Sequence, residues 1–194
     1  MKKRNGQFCI KFFIALFAIL FIIDGYFSTA KAQGDNLRIV FVRHGEKETT
    51  GDNLNCQGLN RAMQLPKVLV AKFGTPAKVY APSINSKKST GHARMFQTAT
   101  PLAVKYGLKI NTQYDVEDYD ALAQSLKSQS GTIVIVWEHK AMDNILKALG
   151  VKTHGLKWGD EDFDSIWVVS FKKSGKAELT TDKEGLHPAG NCAF

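Results

Sequence analysis

Residues 37–46 read LRIVFVRHGE, and this stretch decides the fold. Its apolar, largely β-branched run is typical of a strand that is buried on both faces of a parallel sheet. The run stops at Arg43 and His44, whose polar groups cannot stay in a core without partners, so the chain must leave the sheet here. Gly45 permits a tight backbone directly afterwards. Because ligands bind at the carboxyl ends of strands in open α/β sheets, we place the candidate functional site at this strand end.

The rest of the chain alternates predicted strands with predicted helices. Helical spacing of apolar residues predicts helices over 58–73, from 92 onward, after 115–118 and over 142–149, and apolar runs predict strands over 78–81, 108–112 and 132–137. Residues 165–171 and 177–180 read as a hairpin. Pro66 and Pro101 are expected to kink or restart their helices. This order predicts an α/β fold: a three-layer α/β/α sandwich with a mostly parallel central sheet and no large cap domain.

This topology places four cationic or potentially cationic side chains at one edge of the sheet. Arg43 and His44 end one buried strand, His139 follows another, and Arg94 lies in the first turn of a helix after a third. Right-handed crossovers bring these ends together, where the side chains would repel one another without an anion between them. A phosphoryl group fits, because arginine binds its oxygens bidentately and a helix N-terminus adds positive potential. The alternatives are surface salt bridges for the arginines, and a core or helix-capping role for the histidines.

The motif Arg43-His44-Gly45-Glu46 resembles the RHG(E) signature of the histidine phosphatase (phosphoglycerate-mutase-like) superfamily. The resemblance continues in the family's order over roughly residues 37–171, through Leu59, Ala62, Tyr80-Ala81-Pro82-Ser83, Arg94, Thr98, Ala99 and Trp137-Glu138-His139. It implies that His44 is the nucleophile and becomes phosphorylated. It also implies that Arg43 and Arg94 bind the phosphate and that His139 helps to hold the phosphoryl group. No metal and no cofactor are implied.

The general acid is the position at which the chain departs from the family pattern. The residue before the second histidine is often glycine in the family, whereas this chain has Glu138. Some family members have the acid in the connector after the third strand, and the matching residue here is Glu117. Others have an Asp directly after the second histidine, where this chain has Lys140. Glu117 is therefore the candidate acid, with Glu138 as the alternative, and a surface acid at a helix start is the other interpretation of Glu117. The acidic run at 160–164 is expected to be a solvated loop.

The first 32 residues have the layout of a secretory signal peptide, so residues 33–194 are predicted to form the mature domain. An uncleaved anchor is the alternative, but the apolar core spans 12 residues, whereas a membrane-spanning helix needs about 20. The leader holds five Lys/Arg and one Asp, so the net charge falls from +8 to +4 without it. That mild excess suits a small anionic substrate and predicts no nucleic-acid binding. The mature chain keeps Cys56 and Cys192, which are either a disulfide or two unrelated thiols.

The sequence thus predicts an exported phosphomonoester hydrolase that works through a phosphohistidine intermediate on His44, without a metal. A phosphate-ester-binding module of the same fold is the first alternative. A phosphomutase is less favoured, because only 44 residues separate Arg94 from His139 and little of that length is left for a lid. The expected partner is a small phosphorylated substrate, with no stable membrane anchor after signal cleavage, and the oligomeric state stays open.

Overall fold

A computed structural model describes residues 36–84 and 92–193 of the chain. The predicted signal peptide and most of the loop before Arg94 lie outside these residues. The described strands are β1 (Arg38–Arg43), β2 (Lys78–Tyr80), β3 (Ile110–Asn111), β4 (Thr132–Trp137), β5 (Ser165–Phe171) and β6 (Ala177–Lys183). The described helices are α1 (Cys56–Phe73), α2 (Ala93–Tyr106), α3 (Tyr119–Lys127) and α4 (His139–Leu149).

The strands form one open, mixed sheet in the order β3-β2-β4-β1-β5-β6. The four central and edge strands β1 to β4 are mutually parallel, whereas β5 runs antiparallel to β1 and carries the β6 hairpin. β1 and β4 are direct neighbours, and Arg43 lies opposite Trp137 in their register. The carboxyl ends of these two strands, which carry the RHG motif and His139, therefore lie side by side, as the sequence predicts.

Helices cover both faces of the sheet, because successive residues of the buried strands point to opposite sides. Ile39 and Phe41 of β1 face a core that includes α3 and α4. Val40 and Val42 face a second core, in which Leu65 and Leu69 of α1 and Met95, Ala99 and Leu102 of α2 are buried. The predicted three-layer α/β/α architecture is confirmed.

Several element boundaries differ from the sequence prediction, most clearly in the helices. α1 and α2 run through Pro66 and Pro101 without a break, because each keeps an apolar face buried in the same core. α1 begins at Cys56, where the side chain of Asn55 accepts a hydrogen bond of 2.9 Å from the Gly58 N–H. α4 begins at His139 and not at about residue 142, so this histidine is the first residue of its helix.

The C-terminal tail, which has too little hydrophobic pattern to be predicted, is held against α1. Cys56 and Cys192 form a disulfide with their Cα atoms 4.9 Å apart. Beside it, the Asn60 side-chain amide donates hydrogen bonds to the carbonyls of Ala189 and Asn191. The disulfide alternative is therefore the one that the structure adopts. Of the helices within residues 36–84 and 92–193, none has the length and apolar character of a membrane span.

Candidate active site

His44 follows β1 directly, and its ring accepts one hydrogen bond and donates another. Its Nε2 lies 3.2 Å from Nε of Arg94, which can only donate, so Nε2 accepts. The ring proton is therefore on Nδ1, which donates to the Gly45 carbonyl at 2.7 Å. Burial, followed by the positive charges of Arg94 and Arg43, lowers the pKa of His44 to about 3. His44 is thus neutral near pH 7, and its Nε2 carries the lone pair that a nucleophile needs.

The glycine of the RHG motif is required by close packing against the start of α1. A Cβ on Gly45 would lie 2.7 Å from the Gly58 carbonyl oxygen, and a Cβ on Gly58 would lie 2.0 Å from the Glu46 carbonyl oxygen. The Gly45 N–H also donates to Oγ1 of the buried Thr98 at 3.0 Å, which ties the strand end to α2. The backbone that carries His44 is therefore fixed by two helices.

Arg94 is the second residue of α2, and its guanidinium contacts the ring of His44. Its Nη1 lies 3.7 Å from Oδ1 of Asp52, in the loop before α1. The position in the first turn of a helix is the one that the sequence predicts. Arg94 and the N-terminal end of α2 together supply positive potential next to Nε2 of His44.

Arg43 is buried with its guanidinium against the loop that precedes β5. Its Nη1 donates to the carbonyls of Gly159, Asp160 and Asp162. The guanidinium carbon also lies 3.9 Å from the centre of the Phe163 ring, in the range of a cation–π contact. Desolvation lowers the pKa of Arg43, although an arginine stays charged at any ordinary pH.

His139 is buried at the start of α4, and its ring is held by Asp160. Nε2 lies 2.8 Å from Oδ1 of Asp160, whereas Nδ1 is buried and has no hydrogen-bond partner among the described residues. Desolvation lowers the pKa of His139, and the hydrogen bond with Asp160 opposes that shift. The structure therefore brings Arg43, His44, Arg94 and His139 together, as their places at strand and helix ends predict.

Glu46, the residue after the RHG motif, belongs to a buried ion-pair network. Arg61 of α1 donates to both carboxylate oxygens of Glu46 and, at 2.6 Å, to Glu184 after β6. Burial raises the pKa of Glu184 to about 7 even though Arg61 favours its charged form. Glu46 is thus held by Arg61 in the loop that follows the RHG motif.

A cavity of about 470 Å³ opens beside these side chains and is lined by Arg43, Glu46 and His139. The loop after β1 and the segment 160–163 complete its wall, so most lining residues are polar or charged, with charges of both signs. Within residues 36–84 and 92–193, no group of three or more His, Cys, Asp or Glu side chains is arranged to hold a metal ion. The positive charge in the lining of this cavity comes from Arg43, Lys47 and Lys140.

Neither candidate acid lines this cavity. Glu117 is exposed in the turn before α3, where its carbonyl accepts a hydrogen bond of 2.8 Å from the Tyr119 N–H. Glu138 is half-buried immediately before α4, and its negative charge favours the protonated form of His139. The structure places Glu138 next to the site and shows no side-chain contact between Glu117 and the four converging residues in the described part of the chain.

The segment before β5 is the part of the site that sequence reasoning missed. The acidic run was expected to be a solvated loop, and Asp160 does expose 78% of its side chain, yet its carboxylate binds His139. Asp162 instead turns inward and binds Ser165 at the start of β5. No periodicity marks these residues, because a loop that is shaped by backbone carbonyls leaves no pattern of side chains.

The fold is similar to solved structures of the histidine phosphatase superfamily. The protein histidine phosphatase SixA in complex with tungstate is 13% identical, with 76% of this chain and 97% of that chain covered and a TM-score of 0.55. The putative phosphohistidine phosphatase SixA from Agrobacterium tumefaciens is 17% identical, with the same coverage and a TM-score of 0.53. A phosphoserine phosphatase mutant from Entamoeba histolytica in complex with phosphoserine is 14% identical, with 76% and 96% covered and a TM-score of 0.51. No protein-family model and no curated protein matches the sequence. The chain has the histidine phosphatase fold, as the RHG resemblance predicts.

Proposed function

We propose that the protein is a phosphomonoester hydrolase that forms a phosphohistidine intermediate on His44. The observation that carries the proposal is the state of that side chain. His44 is neutral, its Nδ1–H is fixed by the Gly45 carbonyl, and its Nε2 lone pair faces the Arg94 guanidinium, with Arg43 and His139 close enough to lower its pKa. A buried, uncharged imidazole among cations is suited to attack a phosphorus atom that carries negative oxygens.

In the first step, Nε2 of His44 attacks phosphorus and the ester P–O bond breaks. The departing alkoxide takes a proton, and the ring that gains a phosphoryl group becomes cationic, which the hydrogen bond from Nδ1 to the Gly45 carbonyl stabilises. In the second step, water gives a proton to the base form of the group that protonated the alkoxide and attacks phosphorus, and the N–P bond breaks, which returns neutral His44 and inorganic phosphate. Arg43, Arg94 and His139 are assigned to the phosphoryl oxygens, where their positive charge stabilises the charge that develops.

The His44→Ala variant tests the covalent route. Purified residues 33–194 should hydrolyse an aryl phosphate in excess chelator, and the variant should be slower by at least about a thousandfold. Acid quench of the wild type after brief exposure to labelled substrate should trap an acid-labile, base-stable adduct on His44. A nearly active variant without any adduct would overturn the proposal, and activity that depended on added Mg²⁺ or Zn²⁺ would overturn its metal-independent part.

The proton donor is the open part of this proposal, for which Glu117 and Glu138 are the candidates. Glu117→Gln and Glu138→Gln should be compared on a substrate with a poor leaving group and on an activated aryl phosphate. Loss of the true acid slows only the former, because a good leaving group departs without a proton.

A second candidate function is phosphate-ester binding with little turnover. The observation that favours it is that neither Glu117 nor Glu138 lines the cavity beside Arg43 and His139. Vanadate binding without hydrolysis across a broad substrate panel would support this alternative. A mutase is less favoured, because the fully described stretch from α2 to α4 is occupied by β3, α3 and β4 and holds no inserted cap.

We also propose that the protein is exported and loses residues 1–32. The support is the leader-like layout of that stretch, together with the disulfide between Cys56 and Cys192, since such bonds persist in oxidising compartments. N-terminal sequencing of the protein recovered outside the cytoplasm should begin at Gln33. Retention of the intact leader on a membrane-bound protein would instead identify an anchor.

A further inference from the structure

The segment 159–163 holds two of the four converging cations at once. Backbone carbonyls of this segment accept from Nη1 of Arg43, and the Asp160 carboxylate accepts from Nε2 of His139. The segment is fixed on its other side, because the Trp158 indole N–H donates to the Asp162 carbonyl at 2.7 Å. The contact between Asp160 and His139 is thus made from an anchored backbone.

This contact determines which ring nitrogen of His139 carries a proton. A carboxylate only accepts, so Nε2 must carry a hydrogen to make its 2.8 Å contact with Oδ1 of Asp160. Nδ1 is then the nitrogen that is left for a ligand, and it is buried without a hydrogen-bond partner among the described residues. His139 lines the cavity beside Arg43 and is itself only 9% exposed. A buried polar atom without a partner is costly. Nδ1 of the neutral ring is an acceptor, and it becomes a donor to an anionic ligand once the ring takes up a second proton.

We propose that Asp160 is the positioning residue for His139: it holds the imidazole with Nε2–H toward its carboxylate and favours uptake of a second proton when an anionic phosphoryl group binds, so that Nδ1–H then donates to a phosphoryl oxygen. The proposal rests on the proposed function of the site. It gives the two histidines complementary tasks, with neutral His44 as the nucleophile and His139, protonated when the anionic phosphoryl group is bound, as a hydrogen-bond donor. The same Asp–His logic orients imidazoles at metal and acyl-transfer sites, where the carboxylate acts through the ring and does not touch the substrate.

The charges around His139 show why the carboxylate is needed. Desolvation lowers the pKa of His139 most, and the guanidinium of Arg43 on β1 lowers it further. Asp160 and, more weakly, Glu138 at the start of α4 oppose these effects. His44 faces the same ring, and Lys140 acts on Asp160 from the next position of the helix. Asp160 is the acid among these groups that is hydrogen-bonded to the ring, so its loss should lower the pKa of His139 further and make the second proton harder to gain.

The Asp160→Asn variant tests the proposal, because asparagine keeps an acceptor oxygen and removes the charge. We expect kcat/KM to fall by about 10- to 100-fold, the range for loss of one hydrogen bond to a charged group. The loss should be equal for an activated aryl phosphate and an alkyl phosphate, and the alkaline limb of the pH–rate profile should move to lower pH. A loss confined to the alkyl phosphate would overturn the proposal and identify Asp160 as the proton donor. A gain in activity or in vanadate affinity would overturn it too, because the carboxylate would then be a competitor of the substrate.

Glu161→Gln provides the matched control, since it removes the adjacent carboxylate of the same cavity wall, which has no hydrogen bond to His139 in the described structure. It should shift the alkaline limb less than Asp160→Asn, and an equal shift would overturn the proposal. NMR titration of His139 separates this test from turnover. If the wild type hydrolyses nothing, the proposed function fails, but the His139 pKa should still be lower in Asp160→Asn than in the wild type. An unchanged pKa in a variant whose thermal unfolding matches the wild type would overturn the assignment.

Discussion

Two histidines at neighbouring strand ends carry their ring protons on different nitrogens because of the partners that hold them. His44 accepts from Arg94, a group that can only donate, and is therefore held neutral. His139 donates to Asp160, a group that accepts when ionised. Desolvation lowers the pKa of both rings, so the two histidines are distinguished by their hydrogen-bond partners. The partner of each histidine therefore distinguishes the proposed nucleophile from the proposed hydrogen-bond donor.

The depressed pKa of His44 predicts how stability depends on pH. The unfolded ring titrates near 6.5 and the folded ring at about 3, so between these values the unfolded state binds more protons and acid favours unfolding. Urea unfolding at pH 7 and pH 5 should show that the wild type loses about 2 kcal/mol more than His44→Ala over this interval. The comparison cancels the titration of other groups, such as Glu184. Identical losses in the two proteins would mean that His44 is protonated normally in the folded state.

The four converging residues could be predicted from sequence because each lies next to the end of a predicted strand or the start of a predicted helix. Arg43 and His44 end an apolar run, and His139 follows another, so the strand assignments fix their positions. Asp160 could not be predicted, because it lies in a loop whose path depends on carbonyl contacts with Arg43. The start of α4 was placed too late for a related reason: Glu138 makes no side-chain capping bond, and the apolar helical pattern begins only after His139.

At the scale of elements, α1 packs directly against the RHG loop and fixes its position. The helix starts immediately beneath the backbone of Gly45 and Glu46, and it can approach so closely because Gly58 has no side chain. Arg61, one turn further along, holds the Glu46 carboxylate from the same helix. α1 therefore positions the loop that carries the nucleophile without contributing a residue to the chemistry.

The Gly58→Ala variant tests this role of α1. A methyl group there would lie 2.0 Å from the Glu46 carbonyl oxygen, a backbone atom that cannot move aside without moving the strand end. We expect a destabilisation of about 1–3 kcal/mol, the usual cost of overpacking, and a loss of hydrolysis at temperatures where the protein is still folded. Gly190→Ala is the control, because a Cβ at that position meets nothing within 4 Å. Equal stability of the two variants in chemical denaturation would contradict the close approach.

For the whole molecule, the fold follows from which faces each strand buries. Both faces of β1 and β4 are apolar, which requires helices on both sides, and their parallel order follows from the crossover helices between them. The hairpin of β5 and β6 adds the antiparallel edge. The position of the C-terminal tail could not be predicted from apolar patterns, because the tail is held by hydrogen bonds with Arg61 and Asn60 and by the disulfide.

The disulfide between Cys56 and Cys192 should stabilise the whole domain. It spans a sequence separation of 136 residues, and closing so long a loop restricts the unfolded chain by up to about 5 kcal/mol, with 2–4 kcal/mol being typical. The wild type should therefore unfold at lower urea concentration when dithiothreitol is added, whereas the double variant Cys56→Ser/Cys192→Ser should be less stable and insensitive to the reductant. Because Cys56 also begins α1, next to the loop that lines the cavity, KM should rise more than kcat falls in the double variant. A wild type whose unfolding curve is unchanged by reductant would show that the bond adds nothing to stability.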